Sequence, residues 1–199
     1  MKRVLFIDCT MREQSRTKLI AESFFTGLDS RNFQVHTLKL DELDLQPLAN
    51  VFYLQREQLL AEGNLDHPRF NWAKLFAASD LIVIAAPFWD LSFPSLLKVF
   101  IENICVEGIT FRSDEKGLHG LCRAEKLVYI TTRGGFIETG SPFEQATPYL
   151  NALRALLGYG EVITIAASGM DVEGVDIKPV LREAMRRAKK IAEQFSAES

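Results

Sequence analysis

Five short segments of the chain consist mainly of β-branched and large apolar residues, and a stretch with helical spacing follows each one. They are residues 4–7, 33–38, 81–86, 127–132 and 162–167. Such runs favour β-strands, and a run without polar interruptions is typical of a strand that helices cover on both faces. Four of the five are of this kind, so the pattern predicts a parallel sheet between two helical layers.

The segment 33–38 has a different pattern. Gln34 and His36 alternate there with Phe33 and Val35. Alternation is expected of a strand with one wetter and one drier face. We therefore predict that this strand lies at an edge of the sheet, with Phe33 and Val35 on its drier face.

The helical stretches complete a repeated strand–helix order. Apolar residues recur at helical intervals within 20–28, 96–105, 149–157 and 177–195. Strand followed by helix, five times over, predicts an α/β fold: a doubly wound, five-stranded parallel sheet of order 2-1-3-4-5, with helices on both faces. The connection 41–78 is long, and 51–62 has helical spacing, which predicts an inserted helix with flanking loops. No linker or repeat interrupts the chain, so we expect one domain over residues 1–199.

Composition and charge narrow the class of protein. The chain has 199 residues, 47% of them hydrophobic and 25% charged, with a net charge of −3. These values are typical of a soluble globular domain and favour a small-molecule partner over nucleic acid. The basic run at 182–190 is interpreted as a solvated helix face. The longest apolar stretch, 81–88, is too short to cross a membrane.

Cysteine and histidine usage adds two expectations. The three cysteines have no C-x-x-C spacing and no export signal precedes them, so a reducing cytoplasm fits best. The three histidines have no metal-ligand spacing, so we expect no metal site. Cys9 is interpreted as a core thiol. The sequence also lacks a Ser/His/Asp or Cys/His pattern for nucleophilic catalysis.

Candidate chemistry lies in three loops. In a doubly wound fold, ligands bind beyond the carboxyl ends of the strands where the chain order reverses, here between the first and third strands. The loops at that position are 9–17, 87–93 and 133–140. The first holds three hydroxyls and two arginines at the start of a helix, which suits a phosphate. Because it has no glycine, it is neither G-x-G-x-x-G nor a Walker loop. The alternative is that Ser15 or Thr17 only caps the helix.

The other two loops suit a flat ligand. Phe88, Trp89 and Phe93 stand where a chain normally becomes polar, so they could stack on a planar ring or, alternatively, cover the core or form a dimer contact. Gly134 and Gly135 would let the main chain approach a ligand edge, although an ordinary glycine turn explains them equally well.

Four stretches carry a resemblance to a known family. They read A-P-F-W-D-L-S-F-P-S-L-L-K (86–98), G-I-T-F-R (108–112), G-L (120–121) and T-T-R-G-G (131–135). In order and spacing they resemble the FMN-dependent NADH:quinone oxidoreductases and azoreductases of bacteria, in the flavodoxin-like quinone reductase superfamily. The resemblance covers most of the chain. It implies a flavodoxin-like fold, bound FMN, NADH or NADPH as co-substrate, a quinone or azo acceptor, and a homodimer with two FMN sites at its interface.

The resemblance also implies a set of FMN-binding residues. Three short segments would hold the phosphate, line the isoalloxazine ring and border its pyrimidine edge, respectively: Thr10, Ser15, Arg16 and Thr17; Pro87, Phe88, Trp89, Asp90 and Leu91; and Thr132, Arg133, Gly134 and Gly135. No residue of the chain is expected to act as a catalytic acid, base or nucleophile, because bound FMN carries the redox chemistry.

The sequence departs from the family at several of these positions. Asp90 stands where the family has asparagine, and a carboxylate there opposes the negative charge of a reduced flavin. Thr10 replaces a common serine, the first loop is shorter, and Phe88-Trp89 replaces a Met-Tyr type of pair. Three alternative functions follow the same fold: an electron-carrier flavodoxin, a receiver domain and a non-flavin interaction domain. The glycine-free loop and small net charge disfavour the carrier, and Ala86-Pro87 occupy the position of a receiver's phosphoacceptor.

Overall fold

The five predicted strands form one parallel sheet in the computed structural model, which describes residues 1–198. The strands are β1 (Lys2–Asp8), β2 (Phe33–Lys39), β3 (Leu81–Ala85), β6 (Lys126–Thr132) and β7 (Glu161–Ala167), in the order β2-β1-β3-β6-β7. A separate antiparallel hairpin, β4 (Phe111–Asp114) and β5 (Gly117–Gly120), lies between β3 and β6 in the sequence. With the hairpin left out of the count, the predicted order 2-1-3-4-5 is confirmed.

Six α-helices surround the sheet in residues 1–198. They are α1 (Arg16–Thr26), α2 (Asn50–Ala61), α3 (Asn71–Ala78), α4 (Ser95–Ile104), α5 (Ala146–Leu157) and α6 (Ile177–Ala197), with short 3₁₀ turns at Leu40–Glu42 and Pro68–Phe70. Buried residues of α1 and α6 pack on one face of the sheet. Those of α3, α4 and α5 pack on the other face. The predicted layers on both faces are therefore confirmed.

The central strands explain why their sequences are continuously apolar. Along β1, Leu5 and Ile7 face one apolar cluster, whereas Val4 and Phe6 face the other. Successive side chains of a strand point to opposite faces, so a strand between two helical layers needs apolar residues at every position. β1 pairs with both β2 and β3 in parallel register, which places it at the reversal of chain order.

Three local features differ from the expectations or add to them. β2 is an edge strand as predicted, but Val35 on its supposed drier face is 43% exposed. Only Phe33 and Leu38, near the ends of β2, are buried, because the helical layers cover the central strands more fully than the edge. The insertion contains the predicted helix as α2, together with a second helix, α3. The hairpin of β4 and β5 has no counterpart among the predicted elements.

The basic run near the carboxyl terminus lies on α6, where part of its charge is paired within the helix. Arg186 pairs with Glu183, and Lys189 pairs with Glu193. This agrees with a solvated helix face. Within residues 1–198, no helix combines the length and apolar character needed to cross a membrane.

Candidate functional site

A cleft of about 210 Å³ opens at the carboxyl end of the sheet. Its walls come from the segments that follow β1, β3, β6 and β7. The residues lining it are Met11, Arg12, Gln14, Ser15, Arg16, Thr17, Pro87, Phe88, Trp89, Thr132, Gly134, Met170 and Asp171. All three predicted loops therefore contribute. The segment after β7 is a further wall that the sequence did not single out.

The start of α1 forms one end of the cleft. Ser15 caps this helix, since its hydroxyl accepts a hydrogen bond of 3.2 Å from the amide of Lys18. The hydroxyl of buried Thr17 lies 2.7 Å from that of Thr132, and this contact joins the start of α1 to the end of β6. The first N–H groups of a helix have no partner within the helix and carry partial positive charge. Capping and anion binding are thus compatible roles for this segment.

Two arginines and one aspartate set the charge of this end. Arg12 and Arg16 line the cleft. Arg16 donates from Nη1 to the carbonyl oxygen of Met170 at 2.7 Å and to Asp171 Oδ1 at 2.9 Å. The side chains of Arg16 and Asp171 are 39% and 72% exposed, so water surrounds this ion pair. The amide of Asp171 also donates to the carbonyl oxygen of Gly134. This bond ties the segment after β7 to the loop 133–140, which we call the glycine loop.

Thr10 lies beneath the cleft and does not line it. Its hydroxyl donates to Asp8 Oδ1 at 2.6 Å, and its amide donates to the same oxygen at 2.9 Å. Both donors of this buried residue are therefore occupied inside the protein. A phosphate accepts hydrogen bonds and needs donors, so Thr10 shapes the loop after β1 and offers the cleft no free donor.

The aromatic loop after β3 forms the second wall. Phe88 and Trp89 line the cleft, and Trp89 is 44% exposed. The amide of Phe88 donates to the carbonyl oxygen of Thr132 at 3.2 Å, which extends the β3–β6 pairing into the loop. Because Phe93 is buried, it covers the core as the alternative interpretation held. An exposed indole beside a cationic end suits a flat ligand that carries an anionic group.

A tight turn carries this wall. Trp89 and Ser92 exchange two backbone hydrogen bonds, of 3.1 and 2.8 Å, and Asp90 and Leu91 between them have φ values of +47° and +66°. These values are typical of a type I′ turn, which costs a non-glycine residue about 1–2 kcal/mol in the left-handed region. Gln145 holds the turn by donating from its amide to the carbonyl oxygen of Leu91 at 2.8 Å. Asp90 and Leu91 stand at the exposed tip, outside the lining of the cleft.

Arg133 projects into the protein, whereas Gly134 beside it lines the cleft. The Arg133 guanidinium donates to the carbonyl oxygen of Ile137 at 2.8 Å and to Thr139 Oγ1 at 2.9 Å. Its Nη2 lies 3.8 Å from Glu144 Oε1, and both side chains are buried. Burial lowers the pKa of Arg133, and the carboxylate of Glu144 opposes that shift. The side chain of Arg133 therefore organises its own loop.

The structure thus brings eight of the thirteen predicted residues to the cleft: Ser15, Arg16, Thr17, Pro87, Phe88, Trp89, Thr132 and Gly134. Five predicted residues do not line it: Thr10, Asp90, Leu91, Arg133 and Gly135. Five further residues line it and were missed: Met11, Arg12, Gln14, Met170 and Asp171. Three of the missed residues, Met11, Arg12 and Gln14, lie in the predicted loop 9–17. Met170 and Asp171 follow β7, and nothing in their local sequence marks them.

Other reactive groups of the fold are unsuited to catalysis. Burial raises the pKa of the Cys9 thiol to about 12, so it stays protonated and inert. No group of three potential metal-binding side chains occurs within residues 1–198. A second cavity, of about 180 Å³, lies at the amino end of the sheet. Among the residues that line it, Lys2 pairs with Glu125 at 3.3 Å, and Asp80 is held by Arg123 from outside it at 2.9 Å, so those charges are already partnered.

The chain matches a family described as having a flavodoxin-like fold over residues 2–192. It is 37% identical to FMN-dependent NADH:quinone oxidoreductase 2 of Clostridium acetobutylicum, over 98% of this chain and 100% of the relative. It is 34% identical to the FMN-dependent NADH:quinone oxidoreductase of Clostridium beijerinckii, with the same coverage.

Solved structures share the fold. An azoreductase from Bacillus anthracis superposes with a TM-score of 0.84 at 22% identity, covering 98% of this chain and 100% of that one. An FMN-dependent NADH-azoreductase of the same species, solved in complex with FMN, gives a TM-score of 0.82 at 20% identity and the same coverage. The family match and the two relatives show that the chain belongs to the family of FMN-dependent NADH:quinone oxidoreductases, and the solved structures share its flavodoxin-like fold.

Proposed function

We propose that this protein binds FMN in the cleft at the carboxyl end of the sheet and uses it to reduce a quinone or azo compound with NADH or NADPH. The observation that carries the proposal is the junction of a cationic helix start with an exposed aromatic wall in one cleft. Membership of the family supports the same function independently of the cleft. The curated relatives are named as oxidoreductases, so the electron-carrier alternative is not favoured.

The residues present fit the phosphate of FMN at the start of α1. The hydroxyl of Ser15, the guanidinium groups of Arg12 and Arg16, and the first N–H groups of the helix converge there. Hydrogen bonds from charged donors to phosphate are shorter and stronger than neutral ones. Thr17 supports this end through its contact with Thr132. Arg16 would hold the phosphate while remaining within reach of Asp171.

The residues also fit a flat ring. Phe88 and Trp89 offer aromatic surface, and Gly134 lets the main chain border the ring without a side chain. The amides of Asp90 and Leu91 are not used by the two hydrogen bonds that close the turn. We propose that these amides, together with Gly135, face polar edges of the isoalloxazine. Thr10 and Arg133 contribute by fixing the loops that carry the contacts.

FMN bound in the cleft would supply the redox chemistry, namely hydride transfer from the nicotinamide and two-electron reduction of the acceptor. The chain has three tasks around that chemistry: to stack planar substrates against the aromatic wall, to hold the flavin in place, and to limit access of water. None of these tasks needs a nucleophile, which agrees with the protonated thiol of Cys9. Asp90 adds negative charge beside the turn and would disfavour the reduced, anionic ring.

We further propose that the protein is a homodimer. Four large apolar side chains within two segments, 89–91 and 136–143, are at least two-fifths exposed: Trp89, Leu91, Phe136 and Phe143. An exposed apolar patch of this kind is typical of an interaction surface. α2 has no buried residue and exposes Val51 and Leu54, which supports a second contact area. Light scattering coupled to size-exclusion chromatography tests this, and a monomer mass at micromolar concentration would contradict it.

We propose the cytoplasm as its compartment and no nucleic-acid partner. The three cysteines are free thiols, which suits a reducing environment. The net charge of −3 gives no basis for binding a polyanion.

The visible spectrum of the purified protein, reconstituted with FMN if colourless, tests the function. Anaerobic NADH or NADPH should bleach bound flavin within seconds, and a quinone or azo dye should restore the colour. Bound flavin that stays oxidised would favour the electron-carrier alternative. Failure to bind FMN would overturn the assignment of the cleft. Trp89→Ala should slow the reduction of azo and quinone acceptors, whereas the exposed variant Leu118→Ala, on the hairpin, serves as a control for nonspecific loss of protein quality.

A further inference from the structure

Glu144 is a completely buried carboxylate that lines no part of the cleft. Its side chain is 0% exposed, and that of Arg133, its ion-pair partner, is 1% exposed. A charge inside a protein is expensive unless it is paired and hydrogen-bonded, and even a paired one adds little to stability compared with apolar residues. The pair therefore needs an explanation other than stability.

The contacts of Glu144 reach the first turn of α5. Its Oε1 accepts a hydrogen bond of 2.9 Å from the amide of Thr147. The carboxylate thus caps the helix from within the protein, at the end where negative charge is favourable. The next residue, Gln145, donates its amide to the carbonyl oxygen of Leu91 at 2.8 Å. The position of Glu144 therefore sets the position of the residue that holds the strained turn.

The contacts of Arg133 reach the glycine loop and the aromatic wall of the cleft. Its guanidinium holds Ile137 and Thr139 of the glycine loop. The same group lies over the ring of Phe88, with 5.5 Å between its central carbon and the ring centroid, and Phe88 lines the cleft. One buried ion pair consequently joins the glycine loop, the aromatic wall and the start of α5.

The surroundings of the pair are not arranged for maximal stability. Tyr129 and Thr131 alternate with Arg133 along β6 and its end, so their side chains share a face. The Tyr129 hydroxyl and Thr131 Oγ1 are buried beside each other on this face. Arg133 Nε and Glu144 Oε2 are buried without a hydrogen-bond partner. Such atoms are rare in proteins and concentrate where structure serves function.

We infer that Glu144 is a positioning residue of the flavin site: through Arg133 and the start of α5, it fixes the glycine loop and the aromatic turn in the arrangement that holds the ring. The inference rests on the proposed binding of FMN. It assigns Glu144 no contact with flavin or substrate. The ring end of the cleft depends on it, whereas the phosphate end, built by α1, does not.

Glu144→Gln tests this, because it keeps the size of the side chain and removes its charge. The control is Glu138→Gln, which makes the same change at an exposed position of the glycine loop. Apoprotein is titrated with FMN and with riboflavin, which lacks the phosphate, and the visible circular dichroism of the bound flavin is recorded. We expect the Kd of both ligands to rise at least tenfold, by similar factors, with a weaker dichroic band. The control should stay within twofold of the wild type.

A second variant covers the case in which Glu144→Gln does not fold. The double variant Arg133→Met/Glu144→Leu removes both charges of the pair and leaves neither of them buried without its partner, so folding should survive. We expect it to bind both ligands at least tenfold more weakly than the wild type. Binding within twofold of the wild type, with an unchanged dichroic band, in either folded variant would overturn the inference. Absence of FMN binding in the wild type would instead overturn the proposed function.

Discussion

Two arginine–carboxylate pairs flank the cleft, and they differ in length, burial and consequence. Arg16 and Asp171 lie 2.9 Å apart in a solvated setting, whereas Arg133 and Glu144 lie 3.8 Å apart inside the protein. The shorter pair is the weaker one energetically. Exposed pairs contribute about 0–1 kcal/mol, but breaking a buried pair costs about 3–5 kcal/mol, because the remaining charge is left without compensation. The first pair can exchange partners, and the second can only hold position.

The largest effect is expected on the free energy of unfolding when the buried pair is broken. Arg133→Met leaves Glu144 buried and unpaired, so the free energy of unfolding should fall by about 3–5 kcal/mol. Arg16→Met should change it by less than about 1 kcal/mol. Urea denaturation of the two apoproteins measures both values. Equal losses would mean that burial does not separate the pairs.

The next effect concerns what the exposed pair offers to a ligand. Arg16→Met removes charged hydrogen bonds worth about 1.5–3 kcal/mol, so the Kd for FMN should rise about 10- to 150-fold. Riboflavin binding should not change, since riboflavin has no phosphate. Arg182→Met, on the exposed face of α6, is the matched control. An equal loss of affinity for riboflavin would mean that Arg16 contacts the ring and not the phosphate.

A smaller effect of opposite sign is expected at the carboxylate of the same pair. Asp171→Asn frees Arg16 from competition, so FMN should bind up to about fivefold more tightly, with less effect at high salt. Riboflavin titrations again supply the baseline. Weaker binding of FMN would show that Asp171 orients Arg16 for the phosphate rather than competing with it.

The smallest effect concerns Asp90, a carboxylate with no ion-pair partner within residues 1–198. An exposed charge near the ring is worth about 1 kcal/mol, so Asp90→Asn should raise the midpoint potential of bound FMN by about 20 mV. Redox titration against reference dyes measures the shift, with Glu138→Gln for comparison. An unchanged potential would mean that Asp90 does not act on the flavin.

The sequence predicted correctly the strands that are buried on both faces of the sheet. β1 and β3 are apolar at nearly every position because helices cover both of their faces, and that signal is hard to miss. The hairpin Phe111–Asp114 and Gly117–Gly120 was missed because it is largely exposed and therefore carries little apolar pattern. The prediction that Val35 lies on a drier face was wrong. Alternation shows which side chains are apolar, but it does not show how far a helical layer covers an edge strand.

The site divides in a similar way. The loops after β1, β3 and β6 follow from topology, because parallel strands bring their carboxyl ends together. The direction of a side chain does not follow from topology, and Arg133 points inward where the family resemblance implied the cleft. Asp171 and Glu144 gave no local signal. Each matters through an arginine that is distant in the sequence or lies on another element, which only the folded chain reveals.

Helix α2 makes few buried contacts with the rest of the molecule. It has no buried residue, and of its side chains only a few, such as Leu59 and Leu60, rest partly on the core. Its amides should exchange with deuterium sooner than those of α1 or α4, because local opening there costs few apolar contacts. Within one subunit, local opening of this helix should therefore leave the sheet and the cleft intact.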